Sequence, residues 1–199
     1  MTRRQLLHAA PFLLTTAKGQ PRTPITGQGE HTYEMHHDFL QLPEKLKFGN
    51  THGIVVDAQG RIIVAHMVHA TSESPDAIAI FDPAGRFIKS WGADLRGGAH
   101  GLVIRKEGAQ EFLYICDNVK GFVRKTTLDG EVVWVLHAPM MSGLYGKASE
   151  YKPSTLAVAL NGDLYIADGY GKFFIHHYDA NTNYRSEERR VGKECRSRW

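Results

Sequence analysis

Three stretches of this 199-residue chain begin alike and continue alike. HGIVVDAQG runs from His52 to Gly60, HGLVI opens at His100, and STLAVALNG runs from Ser154 to Gly162; the starts lie 48 and 54 residues apart. A second apolar run follows each: RIIVAH to His66, FLYICD to Asp117, and DLYIAD to Asp168. A third comes next, AIAIFD to Asp82, FVRKTTLD to Asp129, and FFIHHYD to Asp179. A fourth is found twice, RFIKSW to Trp91 and EVVWVL to Leu136. The runs are rich in Val, Ile, Phe and Tyr and are bounded by Gly, Asp and Asn, which reads as strand and turn. No run holds a 3.6-residue period over ten positions, which argues against helices outside the N-terminal segment. Four short strands in every 40 to 50 residues, roughly, is the mark of a propeller blade. The chain is therefore expected to be all-β, with blades over residues 49–98, 99–150 and 151–184.

The order of these elements, with His or Pro near the first strand, a turn Gly, then YIAD, then a strand ending in Tyr-Asp, resembles the NHL-repeat family of six-bladed β-propellers. The resemblance covers residues 49–184 and implies about three of six blades, the front half of a longer protein. It says little about activity, because propellers host many functions.

Two segments flank the repeats. Residues 1–20 carry Arg3 and Arg4, then an apolar stretch from Leu6 to Ala17 with small residues at its end. That order reads as a secretory signal, with a mildly amphipathic N-terminal helix as the alternative, and the arginine pair points to the twin-arginine route. Residues 21–48 read as a linker and lead-in strand, with His36 and His37 just ahead of the first blade. The protein is accordingly expected to be periplasmic or secreted. No stretch reaches the ~18 apolar residues of a membrane span, so none is expected after signal removal. Residues 185–199, RSEERRVGKECRSRW, carry one aliphatic residue and no alternation. They resemble, over their full length, the in-frame translation of a DNA-sequencing adapter and read as an artefactual tail. On this reading the third blade lacks its fourth strand.

The tail also accounts for the formal charge of +3, since the first 184 residues hold 18 basic and 18 acidic side chains. Nucleic-acid binding needs a basic face, so no such partner is expected. The two cysteines, Cys116 and Cys195, make no disulfide framework.

His52 and His100 open equivalent first strands, which line the channel of a propeller, so both are candidate metal ligands at one mouth. His66 and His69 lie where the other blades place Asp117 and Asp168. His176 and His177 fall on a third strand, where a structural role is expected. Asp168-Gly-Tyr170-Gly171, with KPSTLAVA upstream from Lys152, resembles the propeller of peptidyl-α-hydroxyglycine α-amidating lyases. That resemblance implies a zinc or similar divalent metal with His100 as one ligand. It also implies Tyr170 as catalytic base and a small-molecule or peptide substrate cleaved at a carbon–nitrogen bond. The family's catalytic arginine has no counterpart here. His66 stands in that region and is the candidate to replace it in part, while His52, on an odd blade, would either support the ligand His100 or be unrelated to the site. The cysteines that flank the family's Asp-Gly-Tyr segment are absent too. The alternative is a non-catalytic propeller that binds a peptide, sugar or protein at its rim. Oligomeric state is left open.

Overall fold

One recurring side chain closes the hairpins of this chain. Asp57, Asp82 and Asp179 each follow a strand, and each turns its Oδ1 back to accept from two backbone N–H groups ahead of it. The acceptor distances are 2.9 and 2.8 Å at Asp57, and 2.9 Å for both bonds at Asp82 and at Asp179. An aspartate that hydrogen-bonds its own downstream backbone imitates a turn. In the first two turns an arginine four residues on, Arg61 or Arg86, also pairs with the second carboxylate oxygen at 2.6 Å.

The computed structural model describes residues 24–189, in two compact units that divide after Asp38. The proposed signal segment, residues 1–20, lies outside the described residues. In the first unit β1 (Ile25–Gln28) pairs antiparallel with β2 (His31–Glu34). Part of the stretch read as linker is thus a hairpin, and all eight of its strand residues are exposed.

The second unit holds three four-stranded antiparallel meanders. The first is β3 (Thr51–Val56), β4 (Ile62–His66), β5 (Ile78–Phe81) and β6 (Phe87–Trp91). The second is β7 (Ala99–Glu107), β8 (Gln110–Asp117), β9 (Phe122–Thr127) and β10 (Val132–His137). The third is β11 (Thr155–Val158), β12 (Leu164–Ala167), β13 (Phe174–Tyr178) and β14 (Tyr184–Arg189). Only three short 3-10 turns interrupt the strands among the described residues. None is long and apolar enough to cross a membrane. Each meander is a propeller blade, and the described residues form part of a β-propeller.

The blades stack face to face. Ile63, Ala65, Ile78 and Ile80 of blade one meet Leu102, Leu113 and Ile115 of blade two in one core. Tyr114, Cys116 and Val123, on the opposite face of blade two, meet Leu156, Leu164, Ile166 and Tyr178 of blade three in a second. Blade two is covered on both faces, which explains its unbroken run Leu113-Tyr114-Ile115-Cys116. The far face of blade one is partly covered by Leu40, Leu46 and Phe48. The far face of blade three keeps Tyr165 and Ile175 39% and 41% exposed.

The fourth strand of blade three corrects the sequence reading. β14 pairs with β13 from Tyr184–Tyr178 to Arg189–Phe174, so residues 185–189 of the assigned tail complete the blade. The reason is general: the edge of β13 offers a row of unpaired N–H and C=O groups, and any extended segment can add to it. Backbone pairing needs no apolar pattern, and the polar run shows none. Residues 190–199, with Cys195, lie outside the described residues.

The open face of blade three should make the 199-residue chain self-associate. In sedimentation velocity, Tyr165→Lys combined with Ile175→Lys should move the chain toward monomer. An unchanged distribution would show that this face is not adhesive.

Candidate functional site

Each histidine candidate on a first strand sits in a β-bulge. In blade one the pairing steps from Thr51–His66 to Gly53–Ala65, leaving His52 as the extra residue. In blade two it steps from Ala99–Asp117 to Leu102–Ile115, leaving one extra residue in His100-Gly101. A bulge turns a side chain out of the pleat and sharpens the local twist. Here two equivalent bulges turn the two imidazoles onto each other. Their rings stack with centroids 4.0 Å apart and planes 16° from parallel. Blade three has Ser154 at this position, and its strand β11 pairs without a bulge.

The glycine after each histidine permits this approach. A Cβ on Gly53 would lie 2.5 Å from Leu102 Cβ. One on Gly101 would lie 2.7 Å from the Ser154 carbonyl oxygen and 2.8 Å from Thr155 Cα. Neighbouring first strands therefore touch backbone to side chain, or backbone to backbone, beside the histidines.

That contact sets the tautomer of His100. Its Nδ1 lies 2.7 Å from the Ser154 carbonyl oxygen. A carbonyl only accepts, so Nδ1 carries the proton and the Nε2 of the neutral ring keeps its lone pair. Facing Nε2 at 3.2 Å is the Tyr170 hydroxyl, which donates to it. The Tyr170 ring meets the imidazole edge to face at 5.1 Å. His52, His100 and Tyr170 thus form a row across three successive blades, and Tyr170 is 57% exposed. Desolvation first, and the neighbouring His100 second, hold His52 below the ordinary histidine range.

Tyr170 stands on a tight loop between β12 and β13. A Cβ on Gly169 would strike the Ser154 hydroxyl, and one on Gly171 would strike the Asp168 carboxylate. The glycines on either side of Tyr170 are therefore a packing requirement. Phe173 closes the loop in the left-handed region at φ 63°. Its N–H donates to the Asp168 carbonyl at 3.0 Å.

His66 is corrected by its surroundings. It is fully buried, and burial pushes it down to about 4, opposed by Asp76. It is therefore neutral near pH 7 and cannot take over the work of a missing arginine. Its Nδ1 accepts from the N–H of Val68 at 3.0 Å and of Gly49 at 3.4 Å, and its ring packs on Phe48. In blade two Asp117 accepts from Val119 N–H at 3.0 Å; in blade three Asp168 accepts from Lys152 N–H at 2.7 Å. Each blade thus has one buried acceptor at the end of its second strand, tying down nearby loop backbone, and His66 fills that place in blade one. The alignment of His66 with the two aspartates was the signal for this role.

The other histidines fall elsewhere. His69 bonds Thr71 Oγ1 at 2.9 Å on the surface. His176 is buried against Tyr145, and His177 meets Asp163 at 2.9 Å. His36 lies in the first unit, 3.5 Å from Glu34. Among the described residues no group of three or more His, Cys, Asp or Glu gathers as a metal would require. The fit of a divalent ion to this site is therefore that of one ligand, His100 Nε2. His52 does not complete it, because stacked rings direct their in-plane lone pairs side by side.

No protein-family model matches the chain. A Caenorhabditis elegans protein, a probable peptidyl-α-hydroxyglycine α-amidating lyase, is 27% identical over 87% of this chain and 56% of its own length. The chain spans about half of that relative. A catalytically inactive virginiamycin B lyase from Staphylococcus aureus with quinupristin superposes with a TM-score of 0.55. The two are 15% identical, over 77% of this chain and 45% of that one. A Bacteroides fragilis protein thought to be exported superposes at 0.51, with 10% identity over 75% of this chain and 40% of the other. The structural likenesses show the propeller fold, and the sequence likeness is a distant relation to an amidating lyase.

Proposed function

We propose that this chain is part of an exported six-bladed propeller of the NHL type that acts as a carbon–nitrogen lyase at the His100–Tyr170 pair. The observation that carries the reading is the ordered contact between Tyr170 and the lone-pair nitrogen of His100. Both residues match positions of the amidating lyase pattern, and the distant relative bears that activity in its name. The unsatisfied apolar face of blade three supports further blades, since β12 reads Leu-Tyr-Ile-Ala like a strand covered on both sides. The signal-like order of residues 1–20, and the likeness to a protein thought to be exported, support a periplasmic or secreted location.

Chemically, the hydroxyl of the exposed residue Tyr170 is the group placed to handle a substrate proton. On a peptidyl-α-hydroxyglycine it would, as phenolate, take the hydroxyl proton while the carbon–nitrogen bond breaks. The nitrogen leaves as the amide after gaining a proton, and the two-carbon portion leaves as glyoxylate. A phenol holds its proton up to about pH 10, so a tyrosine base needs a cation or an acceptor beside it. In the metal-free site His100 Nε2 is the acceptor, oriented by Ser154; with a metal on that nitrogen the cation would take the acceptor's place. A divalent metal such as zinc, bound through His100 Nε2 with ligands beyond the described residues, would supply Lewis-acid polarisation of a substrate oxygen. His52 walls the far side of the His100 ring.

The test is metal analysis and lyase assay of the protein beside His100→Ala and Tyr170→Phe. The reading expects metal to be lost in the first. In the second, metal stays and turnover falls at least about 100-fold, as for loss of a general base. Full metal content in His100→Ala would overturn it and favour rim binding without catalysis.

A further inference from the structure

Beneath the Tyr170 loop lies a buried carboxylate that neither the metal nor the proton step uses. Asp168 is completely buried. Its Oδ1 accepts from Lys152 N–H at 2.7 Å, and its Oδ2 accepts from Lys172 N–H at 2.6 Å and from the Tyr145 hydroxyl at 2.7 Å. The two N–H donors belong to different halves of the site. Lys172 is two residues beyond Tyr170. Lys152 is two residues before Ser154, whose carbonyl holds His100 Nδ1–H. Tyr170 N–H also reaches the Lys152 carbonyl, at 3.4 Å. One carboxylate therefore grips both the loop that carries the hydroxyl and the segment that orients the imidazole.

We infer that Asp168 is a positioning residue that fixes the separation and orientation of Tyr170 and His100, with Tyr145 as its anchor. Tyr145 is itself held from the other side. Its oxygen lies 2.7 Å from His176 Nε2. If the hydroxyl proton goes to Asp168, that oxygen accepts from His176. This chain of bonds is buried, where a hydrogen bond to an ionised group is strong and a missing partner is costly. His66 and Asp117 bind backbone in their blades but have no tyrosine donating to them among the described hydrogen bonds, so the anchor is particular to the blade that carries Tyr170. The inference rests on the geometry of the His100–Tyr170 pair and holds whichever reaction the pair performs.

The experiment follows the imidazole nitrogens of His100 by NMR in ¹⁵N-histidine-labelled protein, with His100→Gln used to assign the signal. In the unchanged protein His100 should be a single tautomer with the proton on Nδ1. Asp168→Asn gives the site an amide that can accept at only one of its two atoms, so one grip is released. The expected result is a mixture of the two His100 tautomers. In the lyase assay kcat should fall about 10- to 100-fold with KM changed less than threefold. Tyr145→Phe removes one hydrogen bond and leaves the carboxylate. It should shift the tautomer mixture in the same direction by a smaller amount, and it serves where Asp168→Asn does not fold. A His100 signal unchanged in folded Tyr145→Phe, or in folded Asp168→Asn, would overturn the inference. If the signal shifts as expected while the unchanged protein lacks lyase activity, the positioning role stands and the lyase reading falls.

Discussion

Gly101→Ala should separate the first strands of blades two and three and disable the site together with the fold. The added methyl would meet the Ser154 carbonyl oxygen at 2.7 Å and Thr155 Cα at 2.8 Å, and both are backbone atoms that cannot swing aside. Cys116 Sγ closes the remaining side at 3.1 Å. Relief requires β11 to move outward, away from the core that Leu156 shares with Tyr114 and Cys116. Overpacking of this kind costs about 1–3 kcal/mol, which urea unfolding would register as a lower midpoint. The same movement pulls the Ser154 carbonyl off His100 Nδ1, so activity should fall further than stability alone explains. Gly146→Ala is the matched control, because a Cβ there meets only the Glu150 carboxylate at ordinary contact distances of 3.7 and 3.9 Å. Equal midpoints for the two variants would show that the first strands have slack the structure does not display.

The blades were legible because their signals are local. Alternating or continuous apolar runs, ending in Asp and Gly, mark strands and turns whatever the rest of the chain does. The aspartates at 57, 82 and 179 then prove to be the turn closures themselves. The strand of residues 184–189 was not legible, since its pairing comes from the backbone of β13 and its side chains carry no pattern. The short hairpin at residues 25–34 was hidden for a similar reason, being exposed on every strand residue. At the site, His100 and Tyr170 could be named from motif, and the structure brings them into contact. Their coupling could not be named. A bulge is a relation between the registers of two strands, and a carbonyl such as that of Ser154 has no letter in the sequence. The grip of Asp168 on Lys152 and Lys172 is likewise a fact of backbone placement. The residue type of His66 suggests chemistry, while its Nδ1 partners are backbone N–H groups seventeen residues before it and two residues after it.

His66 should also govern how the fold responds to mild acid. Burial, only partly opposed by Asp76, pushes it from about 6.5 down to about 4. In the unfolded chain the ring takes up its proton near pH 6.5, whereas in the folded chain it waits until about pH 4. Between those values the unfolded state binds more protons, so stability rises with pH across the window and falls as pH drops from 6.5 toward 4. Above the window the contribution is complete; below it, it has gone. A displacement of this size corresponds to roughly 3 kcal/mol. His176 adds to the same limb, because burial lowers it too, against the opposing pull of Asp168 and Glu187. The carboxylates act in a separate range. Asp179, held down to about 2 by its bonds to Asn183, loses its contribution only as pH falls below the ordinary carboxylate value. The discriminating variant is His66→Asn. Asparagine Oδ1 occupies nearly the place of Nδ1 and can accept from Val68 and Gly49, yet it does not titrate. It gives up the ring contact with Phe48 and should start about 1 kcal/mol less stable at pH 7. Its urea midpoint should then fall less steeply between pH 6.5 and 4 than that of the unchanged chain, the slope that remains being that of His176. The two curves are expected to cross on the acid side. Parallel curves would mean that the acid sensitivity resides in other groups and that His66 is free to ionise in the fold.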